Sequence, residues 1–125
     1  MDSLIIEETK YTPSIKLDGK KGVISIVGKS YPENTFEFYE PVMKWLEDYF
    51  DGNAQDITLL NFEIIYFNSS SSKLFFDLFD LLEEMRESNV ININWIYDAE
   101  NESALEAGED FKEDFEDLNF TLVSK

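Results

Sequence analysis

Hydrophobic residues recur along the chain at two spacings, one that is typical of strands and one that is typical of helices. Alternating positions and short apolar runs predict strands at 14–18, 23–28, 57–67, 90–97 and 119–123. The first two strands flank a turn at 19–22 that contains two glycines, and glycine readily adopts the positive φ angles of tight turns. This part of the chain therefore predicts a β-hairpin.

Apolar residues at steps of three or four predict a helix after the hairpin. The series consists of Phe36, Tyr39, Met43, Leu46 and Phe50. Pro41 lies inside this series and cannot donate a hydrogen bond to the Glu37 carbonyl. We therefore expect the helix to kink or break at the proline.

Two further helices are predicted between the later strands. The second runs from about Ser70 to Glu87, and its buried stripe is predicted to be Leu74, Phe75, Leu78, Leu81, Leu82 and Met85. The third begins near Asn101 and carries Leu105, Gly108, Phe111 and Phe115 in register. The predicted order of elements is thus β-β-α-β-α-β-α-β, which implies a mixed sheet.

The faces of the strands indicate how the helices are arranged. In the 57–67 strand one face is predicted to be Leu60, Phe62, Ile64 and Tyr66, and the other Asn61, Glu63, Ile65 and Phe67. Polar residues recur on one face of the next strand as well, so that side of the sheet should be only partly covered. We predict one domain over residues 1–125, with an α/β fold near the α+β border. It is expected to be a two-layer sandwich with about three helices on one face of a mixed β-sheet.

Composition narrows the range of functions. The chain has 27 acidic and 10 basic residues and a net charge of −17, which argues against nucleic acid and anionic membranes as partners. It has no cysteine and no histidine, so thiol nucleophiles, zinc–thiolate sites and the commonest general base are excluded. The sequence shows no membrane-spanning run and no signal-peptide pattern. We expect a cytoplasmic protein without a cofactor or a metal site.

Five consecutive polar residues, Asn68 to Ser72, join the longest strand to the second helix. An Asn or Ser at such a junction commonly caps the helix, although one cap needs only one such residue. A helix N-terminus also attracts anions, because free N–H groups and the positive end of the helix dipole converge there. A phosphate added to one of these serines would be favoured at that position. The segment is therefore either an ordinary capped loop or a phosphorylation switch.

Other arrangements of residues support rival functions. Ser70 and Lys73 match the S-x-x-K pattern of serine acylases, which suggests a Ser–Lys hydrolase, but the accompanying motifs are absent. The carboxylates of the second helix and the C-terminal region suggest a metal enzyme, but no calcium-loop spacing is present and a solvated acidic face is the simpler interpretation. A protein-binding scaffold without a switch is a further alternative.

The chain resembles the SiaC-type family of bacterial regulatory phosphoproteins over nearly its whole length. The matching residues are Thr12-Pro13 with Ile15, Gly28 to Asn34, Trp45-Leu46, Tyr66 to Ser71 with Lys73, and Leu81 to Glu84. The resemblance implies a fold like the STAS domains of anti-anti-sigma factors and a role that is not enzymatic. It also implies three protein partners, namely a serine/threonine kinase, a PP2C-like phosphatase and a diguanylate cyclase. The unmodified protein is expected to bind and activate the cyclase, so that the phosphate controls cyclic-di-GMP output.

The resemblance also implies the residues of the site. The family's phosphoacceptor is the hydroxyl residue directly after the Asn of the strand-to-helix turn, and in this sequence that residue is Ser69. The family often has threonine at this position. The residues expected to shape the turn are Asn68, Ser70 and Ser71, and Lys73 is expected to contact the phosphate. The residues expected to lie beside the turn and contribute to docking are Tyr31, Pro32, Glu33 and Asn34.

Overall fold

The computed structural model describes all residues from 1 to 125 and contains six strands and three helices. The strands are β1 (Leu4–Ile6), β2 (Ser14–Asp18), β3 (Val23–Ser30), β4 (Ile57–Phe67), β5 (Val90–Tyr97) and β6 (Asn119–Ser124). The helices are α1 (Thr35–Phe50), α2 (Ser69–Met85) and α3 (Glu102–Asp114). Strand β1 was not predicted, because three residues are too few to show a periodic pattern. It forms by pairing antiparallel with β2.

The sheet is mixed, as the order of elements predicted. Its strands lie in chain order, from β1 at one edge to β6 at the other. The first three strands pair antiparallel, and every pair from β3 to β6 is parallel. One helix connects each parallel pair, since parallel neighbours require a crossover. The three helices therefore all begin at the edge of the sheet where β3, β4 and β5 end.

The core lies between one face of the sheet and the three helices. A single cluster of 25 buried residues contains side chains from β2 to β6 and from all three helices. The opposite face of the sheet is only partly buried and mixes polar side chains with exposed apolar ones such as Val27 and Ile65. On that face Asn94 donates a hydrogen bond to Asn61 across 3.1 Å, and Asn119 donates one to Asn92. The predicted two-layer α/β sandwich is confirmed.

A β-bulge at the end of β4 corrects one predicted face. Gly28 of β3 pairs with Ile64, but Lys29 pairs with Tyr66, so Ile65 is an extra residue in β4. Because the extra residue shifts the alternation, Tyr66 is exposed and Phe67 packs against the core, the reverse of the prediction. Gly28 has a φ of 128°, which a residue with a side chain rarely adopts.

The structure corrects two expectations for α1, namely the break at Pro41 and the burial of Phe36. The helix runs unbroken through Pro41, which lies on the exposed side together with Glu37. The carbonyl that loses its helical partner can therefore be hydrated, and no break is required. Phe36 was predicted to belong to the apolar series, but 52% of its surface is exposed. It is the second residue of the helix, and its ring centroid lies 6.0 Å from the Lys73 ammonium nitrogen of α2.

The predicted boundaries of the other two helices are close to those observed. Helix α2 begins one residue earlier than predicted and ends at Met85. Its predicted stripe omitted Phe79, which is fully buried, while Leu81 and Met85 are only partly buried. Helix α3 is held to the sheet by Gly108, where an added Cβ would lie 2.5 Å from the Trp95 ring. None of the helices is long and apolar enough to cross a membrane.

Candidate functional site

Each helix begins with an asparagine at the same edge of the sheet. The side-chain oxygens of Asn34, Asn68 and Asn101 accept hydrogen bonds from the N–H groups of Glu37, Ser71 and Ala104, at 3.1, 2.9 and 3.1 Å. Asn101 also donates a hydrogen bond to the carbonyl of the bulge residue Ile65 across 3.1 Å. These caps fix where the helices start relative to the ends of β3, β4 and β5.

The serines of α2 occupy different environments. Ser69 is the first residue of the helix and is exposed, as is Ser70. Ser71 is completely buried and Ser72 is half-buried. The backbone N–H of Ser72 donates to the Asn68 carbonyl across 2.9 Å, whereas the N–H groups of Ser69 and Ser70 have no acceptor in the protein. The exposed part of the turn thus presents two hydroxyls and two free backbone donors.

The first turn of α2 differs from those of its neighbours in charge. Helix α1 has Glu37 in its first turn, and helix α3 has Glu102. Helix α2 has no acidic residue in its first turn, although the chain has 27 acidic residues. A negative charge near a helix N-terminus is favourable because of the helix dipole. Of the three helix starts, that of α2 is therefore the one without a carboxylate in its own first turn.

Three buried hydroxyl groups form a chain of hydrogen bonds that connects the first turn of α2 to β3 and α1. The Ser71 and Ser30 hydroxyls share a hydrogen bond of 2.8 Å, and the Ser30 and Tyr39 hydroxyls share one of 2.6 Å. All three side chains are fully buried. Burial raises the pKa of Tyr39 far above its usual value, and the hydrogen bond with Ser30 only partly opposes this, so the phenol stays neutral. The Asn68 N–H also donates to the Ser30 carbonyl across 3.2 Å.

The segment from Tyr31 to Asn34 lies beside the serine turn, because β3 and β4 end next to each other. Tyr31 is half-buried, and its ring packs edge-to-face against Tyr11 and Tyr66 with centroids 5.3 and 5.5 Å apart. Pro32 is buried, whereas Glu33 and Asn34 are exposed. The structure therefore brings these four residues to the same edge as Ser69.

Lys73 lies one turn after Ser69 and is exposed. Its ammonium nitrogen is 6.0 Å from the centroid of the Phe36 ring, and none of the three ion pairs in the structure includes it. Ser70 and Lys73 do not hydrogen-bond to each other, and no group of three side chains is arranged to hold a metal ion. Ser69 and Lys73 both line a groove of about 830 Å³ between α2 and α3.

Sequence reasoning did not assign Ser30, Tyr39 or Tyr11 to the site, and it did not predict the groove. Ser30 and Ser71 are 41 positions apart, so no local pattern connects their hydroxyls. The repeated arrangement of a strand, an asparagine and a helix was a signal that could have been found, because Asn34, Asn68 and Asn101 all come after predicted strands or turns. This repetition indicates that the three helices begin at the same edge of the sheet.

Fold and site together define a small α/β domain with an exposed serine, Ser69, at the capped start of a helix. A family model described as the SiaC family regulatory phosphoprotein matches residues 6–125. The chain belongs to this family. A protein of Pseudomonas aeruginosa (strain UCBPP-PA14), itself uncharacterised, is 36% identical over 115 residues, which are 91% of this chain and 90% of the relative.

Solved structures from Pseudomonas aeruginosa show the same fold. SiaC is 33% identical over the full length of both chains, with a TM-score of 0.86. The crystal structure of the diguanylate cyclase SiaD in complex with its activator SiaC contains a chain that is 35% identical. That match covers 98% of this chain and 99% of the other, with a TM-score of 0.91. The chain is thus similar to SiaC, the activator of the diguanylate cyclase SiaD, with which SiaC forms a complex.

Proposed function

We propose that this chain is a non-enzymatic regulator that binds and activates a diguanylate cyclase when Ser69 is unphosphorylated. A serine/threonine kinase adds the phosphate and a PP2C-like phosphatase removes it. The single observation that supports this most directly is the exposed Ser69 hydroxyl at the start of α2, a helix without an acidic residue in its first turn. The relative SiaC, which activates SiaD, supplies the partner class.

The fold is suited to tolerate the phosphate. The added group carries about −1.5 to −2 charges and three acceptor oxygens. On Ser69 it would lie close to the two free backbone N–H groups and the positive end of the helix dipole. Lys73, one turn further along, has no carboxylate partner and is available to the phosphate. Phosphorylation should therefore leave the domain folded.

The same phosphate is expected to disfavour a bound partner. A protein that covers the turn must remove water from a dianion, which costs several kcal/mol unless a cation pairs with it. The hydroxyl of unmodified Ser69 carries no such cost. Phosphorylation can thus weaken binding without altering the fold, and the cyclase loses its activator. The buried Ser71, Ser30 and Tyr39 hydroxyls keep the turn in one position in both states.

Phosphorylation is tested by incubating the protein with the candidate kinase and ATP and locating the phosphate by mass spectrometry. We expect one phosphate on Ser69 and none in Ser69→Ala. Ser70→Ala is the matched control, because Ser70 is the adjacent exposed serine in the same turn. Phosphate that persists in Ser69→Ala would show that the acceptor is another residue. The phosphatase should then return the wild-type protein to its original mass.

Activation is tested with purified diguanylate cyclases of the same organism, by titration calorimetry and by the rate of cyclic-di-GMP formation. Wild type and Ser69→Ala should bind and activate one cyclase, whereas phosphorylated protein and Ser69→Asp should bind at least about tenfold more weakly. Ser70→Asp is the charge-matched control. Equal binding by all forms would favour a scaffold without a switch, and hydrolase activity lost in Ser70→Ala or Lys73→Ala would favour an enzyme.

A further inference from the structure

The face of the sheet that the helices leave open, here called the open face, differs from the helical layer in charge. The six strands contain two basic and two acidic residues, all on the open face, namely Lys16, Lys29, Asp18 and Glu63. The three helices contain 14 acidic and three basic residues. The net charge of the chain, −17, therefore lies in the helical layer and the loops.

Charged loop residues beside the open face change this balance little. Glu8 lines a shallow depression on the face together with Lys16. Lys125 forms an ion pair with Glu63, and Asp98 lies near that pair. With these three residues the open face has three basic and four acidic groups. It is thus close to neutral in a strongly acidic protein.

The open face also exposes more large apolar side chains than the helical layer does. Those on the open face are Ile5, Val27, Ile57, Ile65 and Val90. Ile57 and Val90 are neighbours on adjacent strands, since they are register partners of β4 and β5. The helices expose only Phe36 and Phe76. Exposed apolar side chains on a surface with few charges are typical of the centre of a protein–protein interface.

Uncharged polar residues form a row across the middle of the open face. Ser25, Asn61, Asn94 and Thr121 are register partners on four successive strands, β3 to β6. The Asn94 amide donates to the Asn61 oxygen across 3.1 Å, so part of their hydrogen bonding is already satisfied within the sheet. A surface that covers this row therefore has no buried charge to desolvate there.

We propose that the open face binds the open face of a second copy of this chain. Two copies that each carry a net charge of −17 repel each other, and the repulsion is greatest between their helical layers. Contact between the two sheets places both helical layers on the outside of the dimer. A basic partner would gain more from the acidic helical layer than from a nearly neutral face, so the lack of charge favours self-association.

The size of the open face suits a weak dimer. Six strands about 4.8 Å apart, with about six residues each, cover roughly 25 by 20 Å, so a dimer buries about 1,000 Å² in total. Specific interfaces begin at about this area. Helix α2 belongs to the other layer, so the dimer leaves Ser69 exposed on both copies. The proposal does not depend on phosphorylation or on the cyclase.

Self-association is tested by sedimentation velocity of the purified protein at concentrations from about 10 μM to about 1 mM. We expect a monomer at the low end and an increasing fraction of dimer towards the high end. Added salt should strengthen the dimer, because it screens the repulsion between the two acidic bodies while the apolar contact is unaffected. A monomer at every protein and salt concentration would overturn the proposal.

Two variants locate the interface. Val27→Glu in β3 and Val90→Glu in β5 each place a carboxylate on the open face, and each should raise the dissociation constant of the dimer at least about tenfold. Phe76→Glu is the matched control, because it replaces a similarly exposed apolar residue in the helical layer. It should dimerise as wild type does, and circular dichroism shows that each variant is folded. A dimer that persists in both open-face variants would overturn the proposal.

A different occupant of the open face gives a different result. If wild type is monomeric and Val27→Glu and Val90→Glu lose binding to the diguanylate cyclase of the proposed function, the cyclase covers this face and the second copy is ruled out. If wild type dimerises and both variants are monomeric, the second copy is supported whether or not any cyclase binds. Failure of the proposed function is thus distinguishable from failure of the dimer.

Discussion

Helices α1 and α2 begin with the same asparagine cap but differ in the third residue after the cap. In α1 this residue is Glu37, and the Asn34 amide donates to its carboxylate across 3.1 Å, so this helix supplies its own negative charge. In α2 the equivalent residue is Ser71, whose hydroxyl points into the core towards Ser30. The start of α1 is therefore supplied with a negative charge, whereas the start of α2 has two backbone N–H groups without an acceptor. The difference shows that the same asparagine cap can leave a helix start with or without a carboxylate of its own.

Making the start of α2 resemble that of α1 should have the largest effect. Ser71→Glu forces a carboxylate into the space beside Ser30 and Tyr39, and we expect a loss of about 3–5 kcal/mol in the free energy of unfolding. The reverse change in α1, Glu37→Ser, affects an exposed side chain and should cost only about 0.3–1 kcal/mol. Urea denaturation measures both. Similar losses in the two variants would contradict the difference drawn between the helices.

Removing the hydroxyl beneath α2 should have the next largest effect. Ser30→Ala leaves the Tyr39 and Ser71 hydroxyls without their shared partner, and a buried polar group left unsatisfied costs about 1–3 kcal/mol. Ser70→Ala removes an exposed hydroxyl of the same turn and should change stability by no more than about 0.5 kcal/mol. Thermal and urea unfolding provide the measurement. A stable Ser30→Ala variant would mean that the hydroxyl chain does not fix the turn.

Phosphorylation should stabilise α2, in contrast to the weakening proposed for the partner complex. We expect the free energy of unfolding to rise by about 0.3–1 kcal/mol in stoichiometrically phosphorylated protein, since the charge lies at the helix N-terminus. Asn68→Asp places a carboxylate in the cap, so the gain on phosphorylation should be much smaller there. The melting temperatures of wild type and Asn68→Asp, each with and without the phosphate, test this. A loss of stability when wild type is phosphorylated would count against the position assigned to the phosphate.

The smallest effects are expected at the first residues of α2 and α3. Ser69→Asp should stabilise the domain by a few tenths of a kcal/mol, because it supplies the charge that α2 lacks. Glu102→Ser should destabilise it by a similar amount, because it removes the charge that α3 has. Both changes should diminish in high salt, and salt-independent shifts would point to packing instead of charge.

Regular periodicity allowed most of the fold to be predicted from the sequence. The bounds of β4 and β5 were predicted correctly, because long apolar runs between polar segments are strong signals. Strand β1 and the bulge at Ile65 were not predicted, because both depend on pairing with another strand. The reversal of Tyr66 and Phe67 results from that bulge alone.

The sequence predicted only the part of the candidate site whose residues are adjacent in the chain. Asn68 and Ser69 are adjacent to a strand and a helix, so periodicity was enough to predict their position at a helix start. The burial of Ser71 could not be predicted in this way, because it depends on Ser30 and Tyr39 from other elements. The docking role of Tyr31 and its neighbours and the contact between Lys73 and phosphate remain predictions.

The order of the strands has a consequence for how the protein is made. Each strand lies beside the one that precedes it in the chain, from β1 to β6. A growing chain on the ribosome can therefore extend the sheet at one edge, and no late strand has to enter between two that are already paired. The serine turn is complete once β3, α1 and α2 have been synthesised, before the second wall of the groove exists.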